Sequence, residues 1–271
     1  MGLNDSADLA LALAVCKDVQ READEIFARF DVKSKEHLKL LMAAKALRAR
    51  GLFQAVVSLA EQNLTSPASA LIRCLMELKF VVLALASDPA FVADLVETDN
   101  SQRARAMRNL SRLPEEHRAA NVRPDEIRAW LEHLGAPGRG PTVAEWAKRA
   151  ACLDEYNLAY LLLSGDVHPA LRGVEAHLLL DGQGEPRSLF ALPDLGELPF
   201  RLMHACDCYL RILFAQPEGS LDVEARDAIQ RLNADARKMD INQRVLAESE
   251  SRVQISETQK FGPRGLPSEG T

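Results

Sequence analysis

Residues 66–86, SPASALIRCLMELKFVVLALA, constrain the fold more than any other stretch of the chain. Ser66 and Pro67 read as a helix cap followed by proline at the first helical position. From there to Ala86 the run is apolar nearly all round. A helix without a polar face must be covered on every side, so it belongs at the centre of a bundle. A membrane span is the competing reading. Arg73, Glu77 and Lys79 and the shortness of the run exclude it. Arg73 and Glu77 are four apart and therefore adjacent on the helix. Ionised groups in such surroundings are costly unless they are paired or hydrogen-bonded. They form either an ion pair that ties helices together or the wall of a polar cavity.

The rest of the chain supplies the cover. Apolar residues at helical spacing predict helices over 6–30, 34–63 and 88–113, a short helix from Pro124, and longer ones over 198–214 and 221–247. Thr142 and Glu145 spell a capping box for another short helix. Residues 135–141, GAPGRGP, are a flexible connector, and 181–199 read as a loop or a small hairpin. Residues 249–271 are polar and expected to be a disordered tail. Aromatic content is only 5%, so the core is mostly Leu, Ala and Val, which suits helices better than strands. The expectation is one all-α domain over 1–248, a bundle of about eight helices.

The net charge of -6 argues against a protein that coats nucleic acid generally, but leaves room for a local basic groove. The second half of the helix at 88–113 is basic, with Arg103, Arg105, Arg108 and Arg112. Five cysteines, an odd number with no CxxC pair, read as buried free thiols in a reducing compartment and not as a zinc site. No positive segment precedes an apolar core at the N-terminus, so no signal peptide is expected. The chain is expected to be soluble and cytoplasmic, without a membrane partner.

Candidate chemistry concentrates in residues 156–172, YNLAYLLLSGDVHPALR. Tyr156, Tyr160 and Ser164 are four apart, which stacks them along one helical face. His168 follows after another four, before Pro169, where it is pushed out of helical geometry. There it serves as a general acid or base, or caps exposed carbonyls. Tyr156 and Tyr160 stack a base or belong to the core or its rim. Ser164, Asp166 and His168 make a poor catalytic triad, because Asp166 is too close in sequence to His168 and no nucleophile elbow is present. Asp154, Glu155, His133 and His177 show no metal-ligand spacing, and no Gly-rich phosphate loop occurs. No metal and no cofactor is expected.

The segment SPASALIRCLMELKFVV, followed by PTVAEWAKRAACLDEYNLAYLLLSGDVHPAL, resembles the bacterial domain-of-unknown-function family 5677 over about residues 10–215. The pairing of Arg-x-x-x-Glu with a distal Tyr-x-x-x-Leu-Ser-x-x-Val-His-Pro carries the resemblance. The pattern is more distantly similar to the all-helical HEPN superfamily. Many of its members are metal-independent ribonucleases of toxin–antitoxin and phage-defence systems. That likeness implies RNA as substrate, with a homodimer and an antitoxin or regulatory protein as partners. It implies that His168 deprotonates the RNA 2′-hydroxyl and that Arg73 or Arg172 stabilises the phosphorane, leaving a 2′,3′-cyclic phosphate. The sequence departs from the superfamily motif, Arg followed after four to six residues by His, because residues 161–163 ahead of His168 are all leucine. Arg112/His117 and Arg128/His133 do match it, the first across Pro114 and the second on a short helix.

Two expectations follow. One is a HEPN-like endoribonuclease or defence effector with His168, Arg73 and Arg172 as its catalytic groups. The other is a non-catalytic binding or regulatory module, in which Arg73, Glu77, Tyr160, Ser164 and His168 form a buried polar network around a ligand pocket.

Overall fold

The computed structural model describes residues 3–30, 35–117, 123–135, 138–167, 178–181, 183, 185–189, 196–218 and 220–238. At its centre is α3 (Thr65–Ser87). Ala68, Ile72, Leu75, Met76, Phe80, Val82 and Leu85 of this helix are wholly buried. Five elements cover it or its neighbours: α1 (Leu3–Ala28), α2 (His37–Glu61), α6 (Val143–Arg149), α8 (Leu161–Val167) and α9 (Leu198–Phe214). A continuous core runs from Leu9 in α1 to Ile229 in α10 (Val223–Lys238). Within it Phe53 stacks on Tyr209, ring centroids 4.8 Å apart. The all-α architecture is therefore the one the apolar central helix requires.

The start of α3 differs from the sequence reading. The residue before its first turn is Leu64, so Ser66 and Pro67 lie inside the helix and Ser66 is not the cap. Asn63 takes a positive φ of 59° and reverses the chain directly after α2, so the helix begins at once. Pro67 is tolerated because the first four N–H groups of a helix have no partner within it.

A second helical pair stands beside this core. Asp88 accepts a hydrogen bond from the Ala90 N–H and opens a 3-10 turn (Pro89–Phe91) that leads into α4 (Val92–Ser111). Against α4 packs α5 (Pro124–Leu134). The buried residues of the pair, Ala104 and Ile127, are not members of the main core. The base of α4 is fixed by Arg149, whose guanidinium lies over the rings of Phe91 and Trp146 and bonds Asp94 at 2.8 Å. The predicted capping box of α6 is present, Thr142 and Glu145 bonding each other's backbone N–H.

Between α8 and α9, β1 (Leu178–Leu180) pairs antiparallel with β2 (Pro186–Leu189), so the hairpin begins before the expected 181–199, in the apolar residues that precede Asp181. The Asp181 carboxylate accepts from the N–H groups of Gln183 and Glu185 and holds its turn. The expected tail, 249–271, lies outside the described residues. Among the described residues, no helix is long and apolar enough to cross a membrane.

Candidate functional site

The segment that carries Tyr156, Tyr160 and Ser164 is helical from Leu153 to Val167, but it is not a plain α-helix. After α7 (Leu153–Glu155) comes a π-helical stretch, Tyr156–Tyr160, and then α8. The four-residue spacing alone predicts an uninterrupted α stack, so the π stretch is a departure. Its effect is rotational. At about 3.6 residues per turn, positions five apart on an α-helix lie about 140° apart round the axis. A turn closed by i→i+5 bonds brings such positions nearly over one another. Glu155 and Tyr160 thereby both reach α3.

Tyr160 meets Arg73 and Glu77. Arg73 Nη2 donates to the Tyr160 hydroxyl at 2.5 Å, and that hydroxyl donates to Glu77 Oε1 at 2.7 Å. Arg73 Nη2 also lies 3.2 Å from Glu77 Oε1. Arg73 Nε donates to Ser164 Oγ at 3.1 Å, and the Ser164 hydroxyl donates to the Tyr160 carbonyl at 2.8 Å. Every hydroxyl proton in this ring thus has one acceptor. The Arg73 guanidinium also sits 4.8 Å from the Tyr160 ring centroid, and Tyr156 stacks on that ring at 4.9 Å. Burial, followed by the neighbouring Glu77 carboxylate, raises the Tyr160 phenol well above its ordinary range. It is a neutral donor at physiological pH. Arg73 and Glu77 are 23% and 36% exposed, so the network opens to solvent along one edge.

A second constellation, on another side of α3, escaped the sequence reading. Lys79 is fully buried, and its ammonium contacts Glu155 Oε1. Around the same carboxylate lie His204 Nε2 at 3.4 Å, Arg211 Nη1 at 3.8 Å and Cys208 Sγ at 3.9 Å. Cys208 Sγ is 3.8 Å from His204 Nε2. Burial works against the Lys79 charge, while the Cys208 sulfur and the Glu155 carboxylate favour it, and the result lies above the ordinary lysine value. Burial pushes the Cys208 thiol up to about 12 and lowers His204, so both are neutral at pH 7. A thiol so buried and so weakly acidic is not a nucleophile.

Glu155, His204 and Cys208 bring three ligand atoms within 4.8 Å of one another, the one such group among the described residues. The spacing of Glu155 with Asp154, His133 and His177 in the sequence does not point to this group. Lys79 decides how the group is used. Its side chain has no route to solvent and already places a positive charge on the carboxylate. A divalent ion there would face an ammonium and the Arg211 guanidinium. The Lys79 ammonium serves as the cation of this cluster. A third charge in a helix apolar all round was the available signal, because it too needed a buried partner.

The structure brings Arg73, Glu77, Tyr156, Tyr160 and Ser164 together. Asp166 lies in the last turn of α8. His168 and Arg172 lie outside the described residues. Arg112 caps the C-terminal end of α4 and His117 ends a short 3-10 turn (Glu115–His117), while Arg128 and His133 lie on α5.

Residues 39–186, more than half of the chain, match the model of a family of unknown function, DUF5677, and the chain belongs to that family. No curated protein and no solved structure matches it.

Proposed function

We propose that this DUF5677 member is a helical binding or regulatory module whose ligand site is the open edge of the Arg73–Glu77–Tyr160–Ser164 network. The observation that carries this reading is the commitment of Arg73. Its Nε and Nη2 are engaged by Ser164, Tyr160 and Glu77, and its charge is matched by a carboxylate 3.2 Å away. An arginine that stabilises a phosphorane needs its fork and its charge free for the substrate. Here they fix the packing of α8 on α3. Nη1 of the same guanidinium has no partner among the described residues, and the Glu77 carboxylate that Nη2 meets belongs to a side chain 36% exposed. A donor next to an acceptor suits a small polar ligand that offers both functions, such as an amide or a zwitterion.

The endoribonuclease reading stands second, supported by one feature. Ser164, bonded to Arg73, lies four residues before His168 in sequence. A single experiment separates the two. Purified protein is incubated with total RNA and with tRNA in EDTA, wild type beside His168→Ala. The module reading expects intact RNA with both proteins. RNA cut to cyclic-phosphate ends by wild type alone would replace it with the ribonuclease reading.

A further inference from the structure

Residues 101–112 of the chain, SQRARAMRNLSR, hold four arginines and no carboxylate, in a protein whose net charge is -6. All but the last belong to α4, and Arg112 caps it. Arg105, Arg108 and Arg112 fall at i, i+3 and i+7, which is one face of a helix. Gln102 and Asn109 flank that face, and all five side chains are exposed. None of the three arginines has an ion-pair partner among the described residues. Arg103, on a different face, shows what an ordinary surface arginine does on this helix: it pairs with Asp99 at 2.7 Å. Arg149, Arg123 and Arg128 nearby are likewise paired with acids.

We propose that the Arg105–Arg108–Arg112 face of α4 binds the phosphate backbone of a nucleic acid. Three uncompensated guanidinium groups repel one another along about 10 Å of helix axis, a cost that an anionic strand removes. That length spans about three phosphates at the roughly 3.4 Å rise of a stacked strand. Guanidinium forks match phosphate oxygens in pairs, and the flanking amides of Gln102 and Asn109 add donors without adding charge. The α4–α5 pair presents the stripe on residues exposed outside the main core. This inference does not depend on the Arg73 site or on any catalysis.

The test is fluorescence anisotropy with the full chain and labelled oligonucleotides of one sequence. The probes are single-stranded DNA, single-stranded 2′-O-methyl RNA (which resists cleavage through the 2′-hydroxyl), the two corresponding duplexes, and polyglutamate as an acidic-polypeptide control. Wild type is expected to bind nucleic acid with a steep salt dependence. Arg105→Gln, Arg108→Gln and Arg112→Gln together should flatten the log K against log salt slope by about 2 on a single strand, at about 0.7 per phosphate contact. Arg108→Gln alone should flatten it by about 0.7. The triple lysine variant should keep the slope. The two single strands and the duplexes show which backbone is preferred. The proposal is overturned if wild type binds no oligonucleotide at about 50 mM salt, if the glutamine variants keep the wild-type slope, or if polyglutamate binds more tightly than every nucleic acid.

Discussion

Replacing Tyr160 with phenylalanine removes one oxygen and leaves the ring. The contacts of that ring with Tyr156 at 4.9 Å and Phe80 at 6.4 Å should survive. What goes is the acceptor for Arg73 and the donor to Glu77. Hydrogen bonds to charged groups contribute about 1.5–3 kcal/mol each when buried. Two corrections lower the sum. Arg73 and Glu77 are 23% and 36% exposed, so water can replace part of what is lost, and they retain their own contact at 3.2 Å. The expected cost is about 2 kcal/mol, roughly 4–8 °C in Tm for a chain of this size. Urea denaturation at pH 7 measures it. A second reading comes from the alkaline limb. Because the folded phenol titrates above its unfolded value, the unfolded chain loses the proton first. Stability contributed by Tyr160 is therefore present below about pH 10 and falls as pH rises above it, by about 1.4 kcal/mol per pH unit for one proton. Tyr209 and Cys208 are also raised, but both remain in the variant, so the difference between the two proteins isolates Tyr160. A loss below about 0.5 kcal/mol at pH 7, with the same alkaline slope in both proteins, would refute the claim that this hydroxyl joins α8 to α3.

Lys79→Met should cost about 3 kcal/mol in urea denaturation, because it takes the buried ammonium from Glu155 and leaves that carboxylate only the half-exposed Arg211 as a charge partner, and adding Glu155→Gln should restore much of the loss; equal stability of wild type and Lys79→Met would refute the pairing. Cobalt(II) added to wild type should produce no thiolate charge-transfer absorption, and such a band would show that Lys79 yields its place to a metal at Cys208. Burial, then Lys79, holds His204 below the ordinary value against the opposing pull of Glu155 and Asp207, with Arg211 adding to the lowering. Its contribution is therefore complete above about pH 6.5 and lost as pH falls below it. Wild type should lose more stability than His204→Gln between pH 7.5 and pH 5, and parallel losses would show that His204 titrates alike in the folded and unfolded chains and is not lowered by burial. Deleting Leu158, which is 68% exposed, leaves Glu155 and Tyr160 four positions apart and in phase on a plain α-helix, so in urea denaturation it should cost well under the about 3 kcal/mol of a broken buried charge pair, and a loss of that size would refute the rotational account.

The bundle was legible because its central helix leaves no choice. Residues 66–86 have no polar face, and only surrounding helices can cover them. The Arg73 cluster was legible for a related reason. Arg73 and Glu77 share one helical spacing, Tyr160 and Ser164 share another, and two polar stripes on apolar helices satisfy each other most directly. Lys79 shows where such reading stops. Its charge was weighed only as an argument against a membrane span. Its partners come from α7 and from α9, and no local spacing connects Lys79 to Glu155, His204 and Arg211. Cys208 looked like a core thiol, and it is buried, but at four residues from His204 it also faces the Glu155 carboxylate. The start of α3 was misread because Ser-Pro is a good cap signal, and the reversal at Asn63 overrode it.

The π stretch joins these two clusters into one physical problem. α3 carries charges on two of its sides, the half-buried Arg73 and Glu77 on one and the buried Lys79 on another, and a single neighbouring segment meets both. In α geometry that segment would offer Glu155 and Tyr160 in directions about 140° apart. Either Lys79 would then lack its carboxylate or the Arg73–Glu77 pair would lose the hydroxyl that bridges it. The wider π turn brings the two side chains into phase, and it leaves Leu158 pointing to solvent. A local rule is broken at Tyr156–Tyr160 so that the charges of the central helix can be satisfied. The break also sets the position of α8, and with it the placement of Ser164 against Arg73. A displacement of Arg73 or Glu77 would therefore be felt by the element that follows the π turn.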